Sequence, residues 1–126
     1  MKARSGHFVL DKKVRFRDLV PAFRPMFTKF LEETGQMPAE KENLEVLIEE
    51  NLRDLRKNLK PEGHNREGLM RMIFPIVPKG VQFYIYTRAK TTETVRVAET
   101  LSRILSKYKL KHTVEWDKMI LYVDKK

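Results

Sequence analysis

The stretch KGVQFYIYTRAK, residues 79–90, decides how the chain is read. It alternates with the period of a β-strand. Val81, Phe83 and Ile85 therefore share one face, and Gln82, Tyr84, Tyr86 and Arg88 share the other. The first face is a core face. The second is too aromatic for a wetted sheet surface, so something must cover it or bind it.

Working outward, residues 92–109 follow as a helix capped by Thr91 or Thr92. Its apolar side is Val97, Ala98, Leu101, Ile104, Leu105 and Tyr108. This side needs a sheet face, and Val81, Phe83 and Ile85 supply one. KHTVEW and MILYV flank Asp117–Lys118 and read as a closing hairpin, with Tyr122 adding to the tyrosine face. Upstream, LMRMIFPIV (residues 69–77) reads as a strand that Pro75 confines to an edge or ends at a bulge. A second chain can pair with such an edge, so a homodimer is open.

The first half is mainly helical. AEKENLEVLIEENLRDLRKNLK (residues 39–60) carries Leu44, Leu47, Ile48, Leu52, Leu55 and Leu59 at helical spacing. In VRFRDLVPAFRPMFTKFLEETG, the side formed by Phe16, Leu19, Val20, Phe23, Phe27, Phe30 and Leu31 is apolar. Asp18 is a candidate N-cap, and Pro25 predicts a break or kink before a second helical piece. Residues 7–10, HFVL, supply a short first strand.

The fold class is therefore α+β. A single, mainly antiparallel sheet of four to five strands carries the C-terminal helix on one face, with two N-terminal helices and the order (β)ααββαββ. All 126 residues are expected in one domain, residues 1–60 packing on 69–124. Two readings of Tyr84 and Tyr86 follow. In the preferred one the N-terminal helices cover them as core. In the other they form an open platform that stacks on unpaired bases.

Charge narrows the function. Twenty-six Lys and Arg against seventeen Asp and Glu give a net charge of +9. The segments 1–38 and 61–126 are basic, and 39–60 is slightly acidic. Such a balance favours a nucleic acid, an anionic surface or an acidic protein. No apolar run approaches a membrane span, and the start MKARSGHFVL is too short in apolar length for a signal peptide. The chain has no cysteine, which excludes disulfides and thiolate metal sites and suits the expected cytoplasmic location.

His7, His64 and His112 lack ligand spacing, and no phosphate loop or nucleophile motif is present. No cofactor, metal or catalytic residue is expected. Glu62, His64, Asn65, Arg66 and Glu67 form the one polar cluster. It reads as a solvated loop, with a nuclease or transferase centre as the third-ranked alternative.

The candidate nucleic-acid contacts are Arg96, Arg103 and Lys107 on the C-terminal helix, and Arg88, Lys90, Lys109 and Lys111 at element ends. Arg15 and Arg17 alternate with aromatics, and Tyr84 and Tyr86 are the candidate stacking groups. Arg88, Lys90, Lys109 and Lys111 are expected to approach one edge of the sheet. The leading expectation is a small non-enzymatic binder of RNA or DNA. The rival is an interaction module docking on an acidic protein, with the Phe-rich N-terminal region as its apolar patch.

With residues 7–10 as a first strand, the order resembles the β-α-β-β-α-β arrangement of RNA-recognition motifs. In KGVQFYIY, Lys79, Gly80, Phe83 and Tyr86 match the first, second, fifth and eighth positions of that family's aromatic motif. Val81 and Gln82 depart from it, standing where an aromatic and a small residue belong. The segment 81–124 is similar in topology to the end of Alba-type chromatin proteins and to the C-terminal domain of bacterial initiation factor three. It also resembles the double-wing DNA-binding domain of a phage middle-gene activator. These resemblances imply nucleic-acid binding through sheet or hairpin surfaces and carry over no individual residue.

Overall fold

The computed structural model describes residues 1–66 and 69–118. Their order is β1 (Ala3–Leu10), a 3-10 turn (Phe16–Leu19), α1 (Val20–Glu33), α2 (Lys41–Arg56), β2 (Arg71–Ile73), β3 (Gln82–Thr91), α3 (Thr92–Lys107) and β4 (His112–Trp116). The sheet has the strand order β2-β3-β1-β4, and every pairing is antiparallel. This is the expected α+β class. MILYV, the second arm of the expected hairpin, and Tyr122 lie outside the described residues.

β1 is longer than HFVL alone suggested, and it lies in the middle of the sheet. Gly6 permits this. A Cβ there would lie 3.0 Å from the Ala98 Cβ and 3.1 Å from the Trp116 ring, so the missing side chain lets α3 approach the strand. Phe8 pairs with Phe83 and Val114, and Gly6 with Ile85 and Trp116, so all six share the helix-covered face. β2 is short because Pro75 follows it closely, and it forms an edge.

α1 runs as one helix through Pro25, so of the expected break or kink the break into two pieces is not formed. Pro25 lies early in the helix, where the missing N–H removes one intrahelical bond, and Phe23, Phe27 and Phe30 on either side are fully buried. Asp18 does not cap α1. Its carboxylate instead accepts from the Arg15 N–H at 2.8 Å and closes the 3-10 turn. α3 starts as expected, with the Thr91 Oγ1 accepting from the Glu93 N–H at 3.1 Å.

All three helices end in a Schellman motif. For α1 the Gln36 N–H reaches the Leu31 carbonyl at 2.8 Å, for α2 Leu59 reaches Asp54 at 2.8 Å, and for α3 Leu110 reaches Leu105 at 3.0 Å. The left-handed residues are Gly35, Asn58 and Lys109. Glycine and asparagine are usual there, but lysine is not. Leu59 falls beyond the α2 cap and is exposed, so it leaves the expected core stripe.

The larger correction concerns layering. The N-terminal helices do not cover the tyrosines. Phe23, Phe27 and Phe30 of α1 and Leu101 and Leu105 of α3 belong to one core with Phe8, Phe83, Ile85 and Met72 of the sheet, and Tyr84 is outside it. Arg96 of α3 is ion-paired to Glu33 of α1, which ties the two helices together on that side. Tyr84 is nonetheless buried, and its ring stacks on His7 at 4.8 Å. Tyr86 is half-buried.

Burial pushes the His7 imidazole down to about 4, against partial opposition from Glu115. A histidine held neutral in the folded state and titrating near 6.5 when unfolded stabilises fully above pH 6.5, and that stability is lost as the pH falls toward 4. By pH 5 the loss amounts to about 2 kcal/mol. Urea unfolding at pH 7 and pH 5 should show this fall, and His7→Gln should flatten it. An equally steep fall in that variant would assign the effect to other groups.

Candidate nucleic-acid interface

The strand order brings three turns together. β1 ends between the start of β3 and the start of β4, and the backbone joins them there. The Leu10 N–H donates to the Val81 carbonyl at 3.1 Å, and the Asp11 N–H to the Lys111 carbonyl at 2.8 Å. Each turn carries exposed lysine: Lys12 and Lys13 after β1, Lys79 before β3, and Lys109 and Lys111 between α3 and β4, with Lys107 as the last residue of α3. Lys12 and Lys79 line one shallow groove of ≈ 380 Å³, and Lys109 and Lys111 line another of ≈ 370 Å³.

Asp11 is the acid within this lysine rim, and its carboxylate accepts from the backbone N–H of Lys13 at 3.3 Å. Among the described residues, none of the six lysines takes part in an ion pair. Arg15 and Arg17 are exposed at the same end of the fold. There the Asn58 side-chain carbonyl accepts from the Arg17 N–H at 3.2 Å and brings Lys57 of the α2 terminus alongside. Local structure stabilises some of this charge, since cations near the α2 and α3 C-termini complement the helix dipoles.

Lys109 is different. Its φ of 62° is a conformation that glycine adopts without strain and lysine does not. Lys109→Gly is therefore expected to raise stability by about 1 kcal/mol. If Lys109 also meets a phosphate, the same change removes that contact. Thermal unfolding paired with a duplex-binding titration separates the two effects. A variant that is no more stable would remove the strain argument.

The expected single basic edge is not formed. Arg88 and Lys90 lie at the β3 end, which meets the N-terminus of α3, while Lys109 and Lys111 follow its C-terminus. A 16-residue helix separates the two groups by about 24 Å. Arg96 is held by Glu33 and by Glu93, whose carboxylate meets its Nε at 2.9 Å. Lys90 lies 4.0 Å from Asp117. Arg103 is exposed and reaches the Thr100 hydroxyl at 3.2 Å. Arg24 makes paired contacts with Glu45 at 2.8 and 3.0 Å, fastening α1 to α2.

The aromatic candidates are also redistributed. Phe23, Phe27 and Phe30 are core rather than an apolar docking patch. Tyr84 presents no open ring: it is buried, with His7 stacked on it.

The polar loop after α2 is not simply solvated. His64 is buried edge-on to Phe27 and Phe30 and exchanges both backbone hydrogen bonds with Met72, at 2.8 and 2.9 Å. Its Nε2 meets the Gln36 side-chain oxygen at 3.2 Å, and burial lowers its pKa, with help from Arg66. These contacts give His64 a packing role. Glu67 lies outside the described residues.

Lys12, Lys13 and Lys79 were missed from sequence because turn lysines look alike until the strand order is known. Among the described residues, no group of three acids or histidines is arranged to hold a metal ion, and no helix is long and apolar enough to cross a membrane. Comparison with protein families, with curated proteins and with solved structures finds no match to this chain, so its reading rests on its own residues.

Proposed function

We propose that the protein binds the sugar-phosphate backbone of duplex nucleic acid, without catalysis, through the lysine rim. The observation that carries this reading is the convergence of Lys12, Lys79, Lys109 and Lys111 on adjoining strand ends with no carboxylate paired to them among the described residues. Phosphate contacts of this kind supply affinity without reading sequence. Burial of Tyr84 argues against single-strand stacking and in favour of a duplex. Arg15, Arg17 and Lys57 extend the charged surface past the sheet end.

A labelled-duplex titration of the purified protein tests it, run beside a single strand of the same sequence. Binding of the duplex at low salt, at least as tight as the single strand, is the expected outcome. Absence of duplex binding would overturn the reading. A clean protein without excess absorbance at 260 nm that captures one acidic protein would favour the rival module.

A further inference from the structure

The end of the fold opposite the lysine rim holds a cleft of ≈ 530 Å³ between the end of α1, the segment entering β2, the end of β3 and the first turn of α3. Its size falls in the range of small-molecule sites. Leu69, Met70 and Val97 supply apolar lining, and Arg71, Arg88 and Arg96 supply charge. Leu69 is 55% exposed, a large apolar side chain left in contact with solvent beside the arginines.

The three arginines are not equivalent. Both carboxylates in the lining, Glu33 and Glu93, bind Arg96, and Glu33 also lies 3.6 Å from Lys29. The Arg96 contact holds the Glu33 carboxyl below its ordinary range, so it stays ionised and engaged. Arg96 is thereby fixed and its charge is matched. Arg71 donates to the Asn65 side-chain carbonyl at 3.1 Å, a neutral partner. Arg88 is exposed, and among the described residues neither Arg71 nor Arg88 faces a carboxylate in an ion pair.

Arg88 owes its place to a bulge. Between Ser5↔Tyr86 and Ala3↔Thr91, β3 advances five residues while β1 advances two. The surplus is fastened by the Thr87 hydroxyl, which donates to the Ala89 carbonyl at 2.8 Å and meets the Thr94 hydroxyl at 3.2 Å. Such a bulge re-aims a side chain out of the ladder.

Two guanidinium groups with no carboxylate partner among the described residues, beside an apolar wall, fit a dianion that carries a small organic body. We propose that this cleft binds a phosphomonoester, with Arg71 and Arg88 on the phosphate and the organic part against Leu69 and Val97. A phosphomonoester carries close to two charges at neutral pH, and its oxygens match the guanidinium fork. The ligand can be a free nucleotide-sized molecule or the terminal phosphate of a strand, and the chemistry at the cleft is the same.

Calorimetric titration of the full chain with adenosine monophosphate, adenosine and inorganic phosphate tests this. The monophosphate should bind more tightly than either part. Arg88→Ala should weaken it about tenfold or more, the loss of a charge-assisted contact. Arg53→Ala, an exposed cation of α2 that lines neither the cleft nor the rim, should leave it unchanged. No binding of the monophosphate, equal binding by Arg88→Ala, equal weakening by Arg53→Ala, or inorganic phosphate binding as tightly as the monophosphate would each overturn the proposal. A 5′-phosphorylated duplex compared with its 5′-hydroxyl twin identifies the source. Preference that depends on Arg88 points to a strand end, and monophosphate binding without it points to a free ligand. Failure of the rim to bind a duplex leaves the monophosphate result standing.

Discussion

Replacing Lys12, Lys79, Lys107, Lys109 and Lys111 together by alanine is expected to abolish duplex binding at physiological salt while leaving the fold intact. Five phosphates neutralised by the native rim correspond to a log–log salt slope of about −4.5. Affinity should then fall roughly 500-fold between about 50 and 200 mM salt. Each single replacement should make the slope shallower by about 0.9, whatever the duplex sequence. The folding cost is small because all five side chains are exposed and none is ion-paired among the described residues, and surface changes of this kind stay within about 0.5 kcal/mol each. Fluorescence anisotropy of a labelled duplex across a salt series reads the slope directly. A slope that is the same for the native and five-fold variant proteins would sink the rim as the interface.

Phe83→Ala should do the opposite, removing stability and leaving the charged surface chemically unchanged. Phe83 is fully buried, stacked on Phe8 at 4.5 Å and on Phe74 at 5.0 Å. It joins β3 to central β1 and to the segment leaving β2. Truncation deletes the ring and leaves a cavity that the rigid rings of Phe8 and Phe74 close poorly, at a cost of about 3–5 kcal/mol. A domain of this size has about 5–15 kcal/mol in total, so the variant sits near the threshold of folding. Tyr86, three positions along the strand and half-buried, should lose less than about 1 kcal/mol on truncation. Urea unfolding measures both. The expected result is a large fall in midpoint for Phe83→Ala with the slope retained, and equal falls for the two variants would contradict the assignment of faces.

These contrasts mark how far the sequence could be read. Period-two alternation identified Val81, Phe83 and Ile85 as core, and helical spacing identified α2 and α3, because both are properties of a few adjacent residues. The cover over Tyr84 was not legible. An apolar face announces that it is buried but not by what, and here α1 and α3 share the opposite side of the sheet. The separation of Arg88 from Lys109 follows simply from the length of α3 and could have been seen by counting residues. The loss of Arg96 as a contact could not, since its partner Glu33 is 63 positions away. Lys12, Lys13 and Lys79 became a cluster only through the strand order β2-β3-β1-β4. Lys109 at a left-handed helix end is a backbone fact with no signal in the residue type itself.

The same strand order constrains how the molecule forms. Central β1 is the first strand in the chain, but its neighbours β3 and β4 begin at Gln82 and His112. During synthesis β1 must therefore wait, both edges open, until most of the chain has emerged. α1 and α2 can form from local contacts in the meantime. Sheet closure then depends on large loops whose entropy must be overcome before any ladder bond compensates, which slows folding. The strand that organises the finished sheet is the one left longest available to wrong partners, so early association between nascent chains should centre on Ala3–Leu10.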